Sequence, residues 1–155
     1  IKVVSKYITQ PPDFTGFNDP AKGKAIAAQM IKDGVDVIYA AAGGSGKGVF
    51  TAAVESGKKP GDLYVIGVDS DQYQTASAAE QPFILTSMLK RVDVAVYTAI
   101  AAQLNGTLKG EVLTHDLKNN GIAYSGSNKD IEKYAGTVEE VKAKILAGTL
   151  TVPDK

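Results

Sequence analysis

Four glycines stand within Gly43-Gly44-Ser45-Gly46-Lys47-Gly48, between an apolar run, Val35-Asp36-Val37-Ile38-Tyr39, and a helical one, Val49-Phe50-Thr51-Ala52-Ala53-Val54-Glu55. A strand that empties into glycines and then a helix is the repeating unit of layered α/β folds. Glycines let backbone N–H groups approach a ligand, and the helix N-terminus adds partial positive charge. This junction places the chain in the α/β class and marks a candidate binding edge.

The spacing argues against a phosphate loop. A Walker loop needs Gly, four residues, then Gly-Lys-Ser/Thr; here Ala41 stands at the first position and Gly48 replaces the hydroxyl that would hold magnesium. The dinucleotide pattern fails as well, because Gly44-x-Gly46 requires a third glycine at Val49 and finds it one residue early. A plain connecting turn remains the structural alternative.

Strands and helices alternate along the rest of the chain. Val3 to Ile8 reads as a first strand ended by Pro11-Pro12, and Asn18-Asp19-Pro20 as a helix start with a cap residue and proline at the first helical position. That helix stops at Gly34. A second strand runs from Val35 to Ala41, a third over Leu63 to Val68 and a fourth over Phe83 to Leu89; the third is apolar without strict alternation, which suits a strand covered on both faces. Val92 to Leu104 reads as a helix ended by Asn105-Gly106, Val112 to Leu117 as a strand, and Ile122-Ala123-Tyr124 as a short strand. A last helix covers Val138 to Leu146, with Thr137 and Glu140 as a capping box. The order predicts a doubly wound parallel sheet with ligands at the strand C-termini.

Composition narrows the function. Seventeen basic residues balance seventeen acidic ones in 155, so no charge excess points to nucleic acid or an anionic membrane surface. With no cysteine and a single histidine, His115, thiolate catalysis and Cys/His metal sites are excluded, and His115 reads as a surface or packing residue. No apolar run reaches the length of a membrane span. The start at Ile1, without methionine, reads as a fragment or processed product.

Three strand ends carry polar or aromatic residues: Tyr39 with Gly43 and Gly44, Asp69 with Asp71, and Lys90. In a parallel sheet they converge on one edge. A carboxylate there accepts hydrogen bonds from vicinal hydroxyls, an ammonium adds donors, and an aromatic ring stacks on a planar ligand. Asp69 and Asp71 equally suit a turn, Lys90 an exposed surface, and Tyr39 a core. Asp69-Ser70-Asp71 lacks a third ligand spaced for a metal, and Gly44-Ser45-Gly46 falls short of a nucleophile elbow. Binding without catalysis is the expectation, with no cofactor and no metal.

These segments resemble the basic membrane protein family of substrate-binding lipoproteins, which includes purine-nucleoside receptors of ABC transporters. The resemblance rests on Phe17-Asn18-Asp19-Pro20-Ala21-Lys22-Gly23-Lys24, on Ala42 to Phe50, on Ile66-Gly67-Val68-Asp69-Ser70-Asp71-Gln72, on Leu85 to Asp93, and on the ending Ile145-Leu146-Ala147-Gly148 through Val152-Pro153. It implies a type I periplasmic-binding fold, in which two α/β lobes close on a ligand, with this chain as the C-terminal half. By that resemblance residues 1–88 form the second lobe, residues 89–117 cross into the N-terminal lobe, and residues 118–155 return. The missing lobe and an ABC permease are the implied partners, with no nucleic acid, and a membrane-anchored lipoprotein outside the cytoplasm is the implied location. Carried over by position, Tyr39 stacks on a nucleobase where phenylalanine is common, Asp69 or Asp71 holds ribose hydroxyls, Lys90 reinforces them, Gly43 and Gly44 line the pocket, and Phe17 is a further wall. Lys47 departs from the neutral residue usual in the loop. A same-fold binding or sensory protein for a sugar or signalling molecule is the alternative, followed by a nucleotide-using enzyme.

Overall fold

The computed structural model describes residues 1–153. Helix α1 (Pro20–Lys32) starts where Asp19 Oδ1 accepts from the Lys22 N–H at 2.9 Å with proline at the first helical position, and the chain turns away through Gly34 at φ 91°. Then follow β1 (Val37–Tyr39), α2 (Gly46–Glu55), β2 (Tyr64–Asp69), the short α3 (Gln72–Thr75) and β3 (Ile84–Lys90). The chain continues through α4 (Val92–Leu104), β4 (Ile122–Tyr124) and α5 (Ala135–Leu146).

The four strands form one sheet in the order β1-β2-β3-β4. Strands β1 to β3 are parallel, with Tyr39 beside Ile66 and Asp69 beside Leu89. Strand β4 is antiparallel, pairing Lys90 with Ile122 and Met88 with Tyr124. The excursion that leaves at Lys90 returns beside it, where the Arg91 N–H donates to the Gly121 carbonyl at 2.9 Å, so β4 runs back along β3. The sheet is therefore parallel with one antiparallel edge.

Layers cover both faces. On one, Ala27 and Ile31 of α1 and Val49, Phe50 and Ala53 of α2 pack with Ile38, Val65 and Ile84. On the other, Tyr64 and Leu85 meet Ile131, with Tyr124 beside them. Full burial of such side chains stabilises by about 1.5–3 kcal/mol each. The two helices cross closely because of glycine: a Cβ on Gly48 would overlap the Pro20 carbonyl oxygen, and one on Gly23 would lie 2.5 Å from the Ser45 carbonyl oxygen.

Several sequence expectations are corrected. Residues Val3 to Ile8 form no strand, because an extended run with no ladder partner among the described residues stays coil. Val112 to Leu117 forms none either. Local side-chain bonds claim the groups that a ladder would use: Asn119 Nδ2 donates to the Thr114 carbonyl at 2.7 Å, and its Oδ1 accepts from the Asp116 N–H at 2.9 Å. Helix α5 begins at Ala135, straight after a 3-10 turn at Lys129–Lys133, so Thr137 lies inside its first turn and the expected capping box does not form. Helix α2 begins at Gly46, not Val49, following a 3-10 turn at Gly43–Ser45.

Candidate ligand-binding site

Because β1, β2 and β3 are parallel, Tyr39, Asp69 and Lys90 end on the same edge of the sheet. They border a cavity of about 200 Å³ together with Phe17 and Gly43. Ala41, Val68 and Met88 supply its apolar lining. Tyr39 and Phe17 are each more than half exposed, which is unusual for rings with a core to join.

Lys90 Nζ lies 2.7 Å from Asp69 Oδ1. The Asp69 carboxylate raises the Lys90 pKa, first by its hydrogen bond and then by its charge, so the ammonium stays protonated at neutral pH. Both side chains are largely exposed, and screening keeps the pair's contribution to stability small. What the cavity presents to a ligand is a carboxylate, a fixed cation and two aromatic faces.

Asp69 has a positive φ of 72°, which costs a non-glycine residue about 1–2 kcal/mol. Gln72 braces this strand end: its Oε1 accepts from the Val68 N–H at 2.8 Å, and its own N–H donates to Ser87 Oγ at 3.2 Å. Gly67 makes room for the brace, since a Cβ there would overlap Gln72 Oε1 and lie 2.7 Å from Ser87 Oγ. Gly67, a glycine inside an otherwise apolar strand, is the kind of sequence signal that marks such a close approach, and it went unread.

The glycine loop divides its work. Gly43, at φ 53°, makes the turn and faces the cavity, where a Cβ would stand 3.5 Å from Phe17 Cδ1. Gly44 lies against the Phe17 carbonyl and Asn18 Oδ1 and is not among the cavity's lining residues. Ser45 is fully buried; its Oγ donates to the Gly16 carbonyl and accepts from the Asp19 N–H, both at 2.7 Å. Sequence reasoning passed over Ser45, Gln72 and Ser87. Lys47 is exposed and outside the lining.

Asp71 also lies outside the cavity's lining. Its Oδ2 accepts from Ser127 Oγ at 2.5 Å, and its Oδ1 is buried without a partner. His115 packs under Gly121, beside the end of β3, and is not among the cavity's lining residues. Among the described residues no group of three or more His, Cys, Asp or Glu side chains gathers to hold a metal, and no helix is long and apolar enough to cross a membrane. A larger groove of about 420 Å³ runs between β4 and α5, lined in part by Ile122, Val138, Val141 and Ile145. It too carries charge, in Arg91 and in Glu139 paired with Lys142 at 3.4 Å, but it offers a single aromatic ring, Tyr124, and lies along β4 instead of across the ends of β1 to β3.

Comparison with known proteins places these features in context. The family described as "ABC transporter substrate-binding protein PnrA-like" matches residues 1–155. The chain is 38% identical over 148 residues to the "ABC transporter nucleoside-binding protein BmpA" of Lactococcus lactis, covering 90% of this chain and 42% of that protein. It is 40% identical over 124 residues to "Basic membrane protein D" of Borreliella burgdorferi, covering 79% of this chain and 33% of that one. Among solved structures, an ABC transporter solute-binding protein of Aeropyrum pernix K1 superposes with a TM-score of 0.66 at 31% identity, over 90% of this chain and 46% of its own. The chain thus spans less than half the length of these relatives.

Proposed function

Because this chain belongs to the family of PnrA-like ABC transporter substrate-binding proteins, we propose that it supplies one wall of a closing cleft that captures a nucleoside outside the cytoplasmic membrane and passes it to an ABC permease. One observation carries the reading: Tyr39, Phe17, Asp69 and Lys90 meet at the parallel strand ends around one open cavity. Tyr39 and Phe17 offer faces to a nucleobase. Asp69 accepts hydrogen bonds from ribose hydroxyls, and Lys90 fixes that carboxylate while donating to the same sugar. Gly43 brings backbone close to the ligand, and Asp71 and Gly44 support the loops behind.

The cavity's size fits half a site. Ligand pockets commonly enclose about 300–1,000 Å³, whereas this one measures about 200 Å³. The N-terminal lobe closing over the strand ends supplies the remainder. In this reading residues 1–88 and 118–155 belong to the lobe described, Leu89 and Lys90 finish its β3, and the segment from Arg91 to Leu117 packs on the N-terminal one. Helix α4 supports the assignment, since none of its side chains is buried while Val92, Val96, Tyr97, Ile100 and Leu104 stand exposed. The intact protein is anchored as a lipoprotein and catalyses no reaction.

Calorimetry on the full-length protein with adenosine, inosine, guanosine and uridine tests the proposal, with ribose and galactose as sugar arms. At least one nucleoside binds, and Asp69→Ala and Tyr39→Ala each weaken it by about tenfold or more, the value of a lost charged hydrogen bond or a stacked ring. Binding of a sugar alone, or full affinity in both variants, overturns it.

A further inference from the structure

We propose that Ser45 is a positioning residue that clamps the Phe17 turn and thereby holds the Phe17 ring at the cavity. Phe17 sits in a 3-10 turn (Thr15–Asn18) that buries only Gly16; Asp13 Oδ1 holds its start by accepting from the Thr15 N–H at 2.9 Å. Hydrogen-bond geometry within a 3-10 turn is poorer than in an α-helix, so what holds its far end matters. The Ser45 hydroxyl bonds on both sides of it, donating to the Gly16 carbonyl and accepting from the Asp19 N–H, each at 2.7 Å. The residue is fully buried, so its hydroxyl faces neither solvent nor ligand.

The glycines beside Ser45 complete the clamp. A Cβ on Gly43 would lie 3.1 Å from the Phe17 carbonyl oxygen, and one on Gly44 would lie 3.3 Å from it, so the loop backbone presses against the residue the serine ties down. The Asp19 N–H that Ser45 accepts also belongs to the residue that caps α1. One buried hydroxyl therefore couples the glycine loop, the start of α1 and an aromatic wall of the cavity.

This inference rests on reading the strand-end cavity as the ligand site, and two measurements on the full-length protein separate them. The first needs no ligand: amide hydrogen exchange. Ser45→Ala accelerates exchange at the Asp19 amide and across residues 16–19 by at least about tenfold, while β2 and β3 keep their protection. Unchanged exchange at residues 16–19 overturns the clamp. If Ser45→Ala does not fold, Ser45→Cys, which keeps the volume with a weaker hydrogen-bonding group, carries the same measurement at a smaller effect.

The second is a double-variant cycle on affinity for the nucleoside that binds most tightly in the panel. Ser45→Ala weakens binding about tenfold alone and has no further effect in a Phe17→Ala background, as expected when it acts through that ring. A full additional loss in that background overturns the positioning role. If no nucleoside binds the unaltered protein, the functional proposal fails, and the exchange experiment alone decides the clamp.

Discussion

Helices α2 and α4 are both rich in apolar residues, yet the fold treats them in opposite ways. In α2, Gly46, Gly48, Val49, Phe50, Ala52 and Ala53 are buried against α1 and the sheet. In α4 nothing is buried, although only Asp93, Thr98 and Gln103 interrupt its apolar run, and Tyr97 and Leu104 are at least three quarters exposed. A helix apolar on every side is one built to be covered on every side. The difference teaches that apolar sequence declares a need for burial, while the neighbours decide whether this chain meets it.

The largest expected effects test whether the packed half alone sustains the fold. Leu63 and Ile84 have no exposed surface, so Leu63→Ala or Ile84→Ala should cost about 3–4 kcal/mol in denaturant unfolding of this chain. Ile100 of α4 is more than half exposed, and Ile100→Ala should cost less than about 0.5 kcal/mol in the same chain. If α4 packs on the N-terminal lobe as proposed, its cost in the full-length protein should rise to about 2 kcal/mol or more. Equal costs for Leu63 and Ile100 in the chain, or no rise for Ile100 in the full protein, break the comparison.

A second test probes how α2 came to be packed. Gly48→Ala drives a methyl group into the Pro20 backbone and should cost about 2–3 kcal/mol, because neither helix yields without moving the other. Gly136 in α5 has nothing within 4 Å of an added Cβ, and Gly136→Ala, in the helix's first turn, should stabilise by up to about 0.5 kcal/mol through helix propensity alone. Thermal or denaturant unfolding reads both; a neutral Gly48→Ala means the close crossing is not required.

Legibility in the sequence followed the same division. Where a segment's partners lie within the chain, local rules held: Asp19 and Pro20 start α1, Gly34 and Gly106 follow their helices in left-handed geometry, and β1 to β3 run parallel as the alternation predicts. Where a segment finds no ladder partner among the described residues, pattern misled, as at Val3 to Ile8, which has strand composition and no ladder. At the site, residue type and topology sufficed to bring Tyr39, Gly43, Asp69, Lys90 and Phe17 to one cavity. Asp71 and Gly44 escaped that logic, because two residues past β2 and five past β1 the path of the chain depends on the loop and not on the sheet. The buried hydroxyls of Ser45 and Ser87 were invisible for a related reason: a serine's role is set by which backbone group comes to face it, and that is fixed only in three dimensions.

A final test examines the second face of the sheet, where a part-buried polar link provides closure that α4 lacks. Tyr64, buried on β2, donates to Asp130 Oδ2 at 2.7 Å, and Lys133 Nζ lies 2.6 Å from the other oxygen. Burial, then the bond to Asp130 and its charge, pushes the Tyr64 pKa from 10.0 up to about 12. The folded state thus holds this proton more tightly than the unfolded chain does. Its contribution is complete below pH 10 and is lost as pH rises from 10 toward 12. The pKa values of Lys90 and Lys133 are raised as well, each by its carboxylate partner, and their smaller, screened contributions fade as pH rises above 10.5. Tyr64→Phe should therefore cost about 1 kcal/mol at pH 7 by removing one hydrogen bond to a carboxylate, and should flatten the decline between pH 10 and 12 without abolishing it. Denaturant midpoints followed from pH 8 to 12 check both parts. An unchanged alkaline slope in Tyr64→Phe would mean that the link to Asp130 does not hold the 3-10 turn against β2, leaving the second face as weakly closed as α4.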